Sequence, residues 1–303
     1  MPKVLLTGGN GLIGKHLCKK LQEKGYIVAI LSRKKNVSSE TQVFTWDLEK
    51  MTIENEAIEF ADYIVHLAGE NIGDKRWTTK RKQQIIDSRV KTADLIFRKV
   101  KDQNKNLKAF ISASAVGYYG AITSRHIYCE TDPASGDFLG DTCNKWEQSV
   151  NKFRELGLRT VIIRTAVVLT KKGGALSKLT TIARIGISSA LGNGKQYMPW
   201  IHIDDLCNIY IKAIEDSQMT GPYNAVAPDQ QTNKEFSRLI AQVLRKPFWF
   251  PNIPAFVLQM ILGKMSGMLL KGSRISSEKI RMAGYDFQFP NLKSALFDLF
   301  GKN

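Results

Sequence analysis

Three glycines near the start of the chain lie between an apolar run and an amphipathic segment. Residues 4–6 predict a buried strand, and the apolar spacing after the glycines predicts a helix. Gly8 would form a tight turn, Gly11 would let a pyrophosphate approach the backbone, and Gly14 would let helix pack on strand. The free N–H groups of the first helical turn, at Leu12 and Ile13, would then meet the phosphates. A structural glycine turn is the alternative, but the strand–turn–helix context favours a dinucleotide site.

The end of the second predicted strand, residues 26–31, indicates which dinucleotide binds. In a NAD site, an Asp or Glu near this position would bind the ribose 2′-hydroxyl. Here the strand is followed instead by Ser32, Arg33 and two lysines. Arg33 can hold a 2′-phosphate with paired donors, whereas a carboxylate would repel one. A solvated basic loop explains the lysines but not the missing acid, so NADP(H) is predicted as the cofactor.

Strands and helices alternate along the first half of the chain. Further strands are predicted at 43–46, 62–70, 109–114 and 159–164, with helices at 78–100 and 138–153. This rhythm predicts an α/β fold, a Rossmann-type doubly wound parallel sheet with helices on both faces. Residues 121–136 have little periodicity and are predicted to be a loop.

Beyond Thr170, glycines and prolines break the chain into shorter elements. We therefore divide the chain into two parts. Residues 1–170 would form an NADP(H)-binding Rossmann domain, completed by parts of 200–230. Residues 171–303 would supply substrate-side segments and a smaller, mainly helical C-terminal domain.

Two polar residues on predicted strands or strand ends, and one on the predicted helix at 78–100, allow two interpretations each. His66 lies in an apolar strand and is interpreted as a hydrogen-bonded core residue rather than a base. Asp47 could reach an adenine amino group or simply cap a turn. Arg89 could face the cofactor phosphates or be an ordinary surface arginine.

The composition of the chain argues against nucleic-acid, membrane and metal partners. The net charge is +16, but the basic residues are spread and no nucleic-acid-binding motif appears, so no nucleic-acid partner is expected. The most apolar late stretch, residues 253–262, is too short to span a membrane, and no signal peptide is recognised. Four scattered cysteines have no metal-site spacing. We expect a cytoplasmic protein with reduced thiols, no metal, no membrane partner and a small-molecule substrate.

Several longer strings resemble the extended short-chain dehydrogenase/reductase superfamily. They are residues 7–14, 66–69, 112–120 and 192–205. The chain is most similar to an atypical subgroup, the sugar-nucleotide epimerase-like family or epimerase family protein. The marks of that subgroup are residues 67–72, 75–77, 145–147 and 194–206.

The resemblance implies a Rossmann domain that binds NADP(H), with a smaller domain built mostly from the C-terminal third. It implies that Ser32 and Arg33 hold the 2′-phosphate. It also implies that residues Leu67, Ala68 and Gly69 lie beneath the cofactor. Two further residues are implied, Arg89 nearby and Val168 near the nicotinamide end.

The catalytic pattern of the superfamily is incomplete in this chain. Ser114 matches the usual serine, but none of the nine tyrosines has a lysine four residues later. Aligning the expected helix on Lys145 puts Asp141 at the tyrosine position, and aligning it on Glu147 puts Leu139 and Cys143 at the pair. The catalytic residue is therefore left unassigned. The candidates are Ser114, Tyr118 and Tyr119, with Lys145 as a neighbouring cation; packing roles for both tyrosines and a surface position for Lys145 are the alternatives.

The substrate-side motif also departs from the pattern. Sugar-nucleotide enzymes commonly have Arg-Asp before the aromatic residue of this motif, and that arginine binds diphosphate. Here Met198 and Pro199 precede Trp200, which favours a neutral, more apolar substrate. The sequence thus predicts an NADP(H)-dependent oxidoreductase or epimerase/dehydratase-like enzyme acting on an unknown small molecule. The alternative is a non-catalytic NADP(H)-binding sensor or scaffold.

Overall fold

The computed structural model describes residues 1–35 and 41–301 and has a mostly parallel sheet at its centre. The strands are β1 (Lys3–Thr7), β2 (Ile27–Ser32), β3 (Gln42–Asp47), β4 (Thr52–Ile53), β5 (Tyr63–His66), β6 (Ala109–Ala115), β7 (Ile127–Tyr128), β8 (Thr160–Thr165), β9 (Val167–Leu169), β10 (Trp200–His202), β11 (Gly221–Ala225) and β12 (Arg274–Ile275). The helices are α1 (Leu12–Glu23), α2 (Asn55–Phe60), α3 (Thr79–Asp102), α4 (Phe138–Asn151), α5 (Gly174–Arg184), α6 (Ile203–Glu215), α7 (Asn233–Val243), α8 (Ala255–Leu262), α9 (Gly267–Leu270), α10 (Glu278–Met282) and α11 (Leu292–Phe300).

The central sheet has eight strands in the order β4-β3-β2-β1-β5-β6-β8-β11. All neighbours pair in parallel except β3 and β4. The strand order reverses direction beside β1, where β2 and β5 lie on its two sides. Ligands of doubly wound sheets bind at the carboxyl ends of the strands at such a point. The predicted Rossmann-type fold is confirmed.

Strand β1 shows how the sequence builds a layer on each face of the sheet. Successive side chains of a strand point to opposite faces. Val4 and Leu6 accordingly join the core beneath α1 and α6, and Leu5 joins the core beneath α2, α3 and α4. All three are fully buried, which explains why this strand is apolar throughout its interior.

A third core lies in the C-terminal part of the chain. It contains Leu176, Trp200, Phe236 and Leu296 from four different elements. Helix α7 begins with the predicted capping box, in which Thr232 and Glu235 each bond the other's backbone N–H. This core packs against β9 and β10, a separate parallel pair.

Two neighbouring aspartates at the start of α6 bond to different parts of the chain. The Asp204 carboxylate lies 2.8 Å from His16 Nε2 and 2.7 Å from Lys20 Nζ, both on α1. The buried Asp205 carboxylate accepts hydrogen bonds from the Tyr285 hydroxyl and from the backbone N–H groups of Gln288 and Phe289.

The loop prediction for residues 121–136 is wrong at one point. Strand β7 lies inside that range and pairs in parallel with β12. The pairing partner lies far along the chain, so local periodicity does not reveal it. In the described ranges, no helix is long and apolar enough to cross a membrane.

Candidate functional site

A cleft of about 300 Å³ opens at the carboxyl ends of β1, β2, β3 and β5. Its lining comes from the turns that follow these strands and from one face of α3. The lining residues are Gly8, Gly9, Asn10, Gly11, Leu31, Ser32, Arg33, Trp46, Leu48, Leu67, Ala68, Gly69, Glu70, Ser88 and Thr92.

The glycine turn between β1 and α1 forms the floor of the cleft. Gly8 has φ +69°, and a Cβ there would lie 2.9 Å from the carbonyl carbon of Leu67. A Cβ on Gly14 would overlap the carbonyl oxygen of Gly8. Gly11 is the N-cap residue of α1, and no side chain caps the helix. The first-turn N–H groups of α1 thus remain available to an anion, and the turn fits a dinucleotide pyrophosphate.

The opposite end of the cleft is formed by Ser32, Arg33, Trp46 and Leu48. Arg33 is exposed, and within the described residues no hydrogen bond or ion pair holds its guanidinium. Asp47 does not line the cleft. Its carboxylate accepts the N–H groups of Glu49 and Lys50 at 2.9 and 3.0 Å, and the bond from Lys50 is the main cause that lowers its pKa. The turn-capping interpretation of Asp47 is confirmed.

His66 is a hydrogen-bonded core residue, as predicted. The Thr7 hydroxyl accepts the N–H groups of Leu67 and Ala68, each at 3.1 Å, and lies 2.8 Å from His66 Nδ1. The other ring nitrogen lies 3.3 Å from the Thr92 hydroxyl. Because Thr7 accepts two backbone bonds, we assign its proton to the bond with Nδ1 and the imidazole proton to Nε2. Burial lowers the pKa of His66 to about 3, so the ring is neutral and fixes the turn beneath the cleft.

Arg89 is half-buried, and its guanidinium is held by other groups of the chain. Its guanidinium donates to the carbonyls of Ile85 and Glu70 and stacks 5.1 Å from the Trp146 ring. The surface-arginine alternative is therefore wrong. Arg89 contacts the back of the turn at Gly69, where an added Cβ would lie 3.1 Å from its guanidinium carbon.

Val168 and Leu12 lie next to a second glycine turn. Val168 is on β9 and pairs with Ile201 of β10. The turn after β9 brings Gly173 and Gly174 close to the Leu12 side chain at the start of α1. The loop after β9 therefore borders the glycine turn of the cleft.

Two of the catalytic candidates, Ser114 and Tyr119, belong to a buried hydrogen-bond network. The Ser114 hydroxyl donates to Glu147 Oε1 at 2.7 Å. Glu147 also accepts two bonds from Arg164, at 2.9 and 2.8 Å. Arg164 donates to the Tyr119 hydroxyl at 2.9 Å, and that hydroxyl donates to Asn224 at 2.8 Å. All five residues are at least nine-tenths buried.

Burial and the charges of this network together shift the pKa values of Tyr119 and Arg164. Burial raises the pKa of Tyr119, and the neighbouring Arg164 only partly offsets that rise. Burial would lower the pKa of Arg164, but its bonds to the Glu147 carboxylate outweigh burial and raise it. Arg164 therefore stays charged and Tyr119 stays protonated, so Tyr119 serves as a fixed hydrogen-bonding group.

Lys145 does not join this network. It is half-exposed and pairs with Asp141 one turn earlier on α4, at 2.8 Å. Its predicted surface position is confirmed. The cation beside the tyrosines is instead Arg164, whose guanidinium carbon lies 3.5 Å from the centre of the Tyr118 ring. Sequence reasoning missed Arg164, although a charged residue at the end of an apolar strand was the available signal.

Tyr118 differs from the other candidates because its side chain is only half-buried. No other group in the described residues forms a hydrogen bond with its hydroxyl. Among Ser114, Tyr118 and Tyr119, it alone has a hydroxyl that is not held by the buried network.

One group of possible metal ligands occurs in the described residues: His202, Asp204 and Asp298. Lys20 already lies 2.7 Å from the Asp204 carboxylate, and its ammonium group would repel a divalent cation. His202 Nδ1 accepts the backbone N–H of Asp204. These contacts favour a polar contact between elements over a metal centre.

A parallel sheet with a glycine turn, an uncapped helix and a cleft at its switch point defines a NAD(P)-binding protein. Comparison with known proteins agrees. Residues 4–227 match the model of the NAD dependent epimerase/dehydratase family, and residues 253–299 match a domain of unknown function, DUF1731. The chain belongs to the NAD-dependent epimerase/dehydratase family.

Individual relatives span nearly the whole chain. An epimerase family protein of Staphylococcus aureus is 32% identical, with 99% of each chain covered. The epimerase family protein YfhF of Bacillus subtilis is also 32% identical, covering 98% of this chain and 97% of its own. The crystal structure of human epimerase family protein SDR39U1 with NADPH is 30% identical and has a TM-score of 0.87. It covers 99% of this chain and 100% of that one.

Proposed function

We propose that this chain binds NADP(H) in its cleft and acts on a small, uncharged molecule as an oxidoreductase or epimerase-like enzyme. The observation that carries the proposal is Arg33 beside Ser32 at the end of β2, where a NAD site would have a carboxylate; no group in the part of the chain that the structure describes pairs with the Arg33 guanidinium. The NADPH in the structure of the human relative supports the same preference.

The cofactor would be held along the length of the cleft. The N–H groups of Leu12, Ile13 and Gly14 would meet the pyrophosphate, which Gly8 and Gly11 allow to approach. Leu67, Ala68 and Gly69 would lie beneath it. Arg89 would hold the Gly69 turn from behind, and Val168 would lie toward the nicotinamide. When bound, the cofactor supplies or accepts a hydride.

Calorimetric titration with NADPH and NADH tests this proposal. We expect tighter binding of NADPH. Arg33→Ala should weaken NADPH binding by about 1.5–3 kcal/mol, the range for a charged hydrogen bond, and leave NADH binding nearly unchanged. Lys34→Ala is the matched control, because it removes an adjacent charge that does not line the cleft. Equal or tighter binding of NADH would contradict the proposal.

Tyr118 is our candidate for the group that moves a proton to or from the substrate. Its hydroxyl is free in the described part of the chain, while Ser114 and Tyr119 are held by buried partners. The guanidinium of Arg164 stacks on the Tyr118 ring and holds the ring in place. We expect Tyr118→Phe to lower turnover and leave NADPH affinity unchanged.

The substrate is proposed to be uncharged because residues 198–199 offer no cation. Met198 instead packs in the C-terminal part, where its sulfur accepts a bond from Asn233 at 3.1 Å. A screen of uncharged carbonyl compounds and alcohols tests this substrate class. The absorbance of the reduced cofactor reports whether a compound reacts.

A non-catalytic NADP(H) sensor or scaffold is the second candidate. The observation in its favour is that the Ser114 hydroxyl donates into a buried ion pair. If NADPH binds but no compound in the screen changes its oxidation state, this second candidate is favoured.

A further inference from the structure

Five large apolar side chains are exposed within one short segment of the C-terminal part. They are Trp249 (69% exposed), Phe250 (43%), Phe256 (66%), Met260 (68%) and Ile261 (56%). We call these five residues the apolar face. Monomeric soluble proteins rarely expose large apolar groups together, and such patches mark contact surfaces.

Helix α8 carries most of the apolar face, and most of its side chains are exposed. Its sequence is Ala-Phe-Val-Leu-Gln-Met-Ile-Leu, and only Leu258 is buried. Phe256 and Met260 are four residues apart and therefore share one side of the helix. The only polar side chain in the helix is Gln259. An exposed apolar helix of this kind is suited to insertion into the interface of a lipid bilayer.

A contact with the Rossmann part holds the helix in place. The Arg76 guanidinium donates to the carbonyl groups of Met260 and Ile261 at 2.8 Å. These are carbonyls of the last helical turn, which lack partners within the helix. The apolar face is thus presented by an anchored helix, which reduces the entropy lost on docking.

The segment of the chain that carries the apolar face bears charges of one sign. Between Glu235 and Glu278 the sequence contains no acidic residue. It contains six basic ones: Arg238, Arg245, Lys246, Lys264, Lys271 and Arg274. An apolar face with Trp and Phe, surrounded by Lys and Arg, has the composition of segments that lie in the interface of an anionic bilayer.

We propose that the apolar face docks this protein on an anionic lipid bilayer, with Phe256 and Met260 inserted and the neighbouring cations at the headgroups. A second copy of the chain is a poorer occupant, because a twofold contact would place the same basic residues opposite each other. The proposal departs from the sequence-based expectation of no membrane partner. That expectation rested on segment length, which excludes spanning but not surface binding.

Co-sedimentation of the full chain with lipid vesicles tests the proposal. We expect binding to phosphatidylcholine vesicles that contain phosphatidylglycerol and little binding to phosphatidylcholine alone. Binding should fall by about tenfold or more between low and high salt, because surface charges are then screened. Absence of binding to the anionic vesicles, or equal binding to both, overturns the proposal.

Matched variants locate the surface. Phe256→Ser with Met260→Ser should lower anionic vesicle binding by about tenfold or more. Met282→Ser, at an equally exposed methionine on α10 (76% exposed), should leave it unchanged. Lys264→Gln with Lys271→Gln should weaken binding more than Lys50→Gln with Lys101→Gln.

Sedimentation of the protein without vesicles tests whether the apolar face instead binds a second copy of the chain. If the chain forms dimers that the Phe256/Met260 variant abolishes, and vesicles do not bind, the face is a self-association surface and the proposal is wrong. Since all the substituted side chains are exposed, the variants should fold, and NADPH titration checks that they do.

Discussion

The buried Glu147–Arg164 pair carries a large desolvation cost on folding. Removing each ion from water costs several kcal/mol, and only good geometry with further hydrogen bonds offsets that cost. Here the two bonds between the side chains are 2.9 and 2.8 Å. Ser114 and Tyr119 bond the remaining sites on either charge. The superfamily's catalytic serine position has thereby become part of a structural network.

We expect Glu147→Gln to lower the free energy of unfolding by about 3–5 kcal/mol, because it leaves the Arg164 charge buried without its partner. Urea denaturation measures this loss. Lys145→Gln is the control on the same helix. It breaks only the exposed pair with Asp141 and should cost no more than about 0.5 kcal/mol. Equal losses in the two variants would contradict the role given to the buried pair.

The β1–α1 unit shows which parts of a site can be read from sequence. Its strand, turn and helix follow each other directly, so glycine spacing and apolar periodicity were sufficient to predict them. The same reasoning located Ser32 and Arg33 at the end of β2. It did not predict that Arg164 and Glu147 form a pair. These residues lie on different elements, and only the folded sheet brings them together. It missed β7 for the same reason, since the partner strand β12 lies in the C-terminal part.

Close packing of α1 on its own turn leads to a second stability prediction. A Cβ on Gly14 would overlap the carbonyl oxygen of Gly8 and the backbone of Gly9. Backbone atoms cannot move aside as a flexible side chain can. Gly14→Ala should therefore shift α1, destabilise the protein by about 1–3 kcal/mol, and weaken NADPH binding.

Gly136→Ala is the matched control for this substitution, because nothing lies within 4 Å of a Cβ added there. It should leave cofactor binding and stability nearly unchanged. Thermal unfolding and NADPH titration of both variants make the comparison. Tight NADPH binding by Gly14→Ala would show that the turn does not need this glycine.

The whole molecule is held together by contacts between parts with separate cores. Asp205, on α6, bonds the segment before α11. Arg76 joins the loop after β5 to α8. The Arg76 link thus connects α8 to a loop at the carboxyl edge of the sheet.

Unfolding of the whole molecule should depend on pH through His66. In the folded protein burial lowers the pKa of His66 to about 3, whereas in the unfolded chain it is about 6.5. Below about pH 6.5 the unfolded state therefore binds a proton that the folded state does not. The free energy of unfolding falls by about 1.4 kcal/mol per pH unit for this one group. The loss continues until the pH approaches the pKa of His66 in the folded protein.

Urea denaturation at several pH values between about 6.5 and 5 measures this effect, which amounts to about 2 kcal/mol over that interval. His66→Asn provides the comparison, because an amide keeps a polar group beside Thr7 but does not titrate. Burial also lowers the pKa of His202, so both proteins should lose stability on acidification. The variant should lose less, by about the contribution of one proton. Identical slopes would mean that His66 is already protonated in the folded protein, and the bond from Thr7 to Nδ1 would then be assigned wrongly.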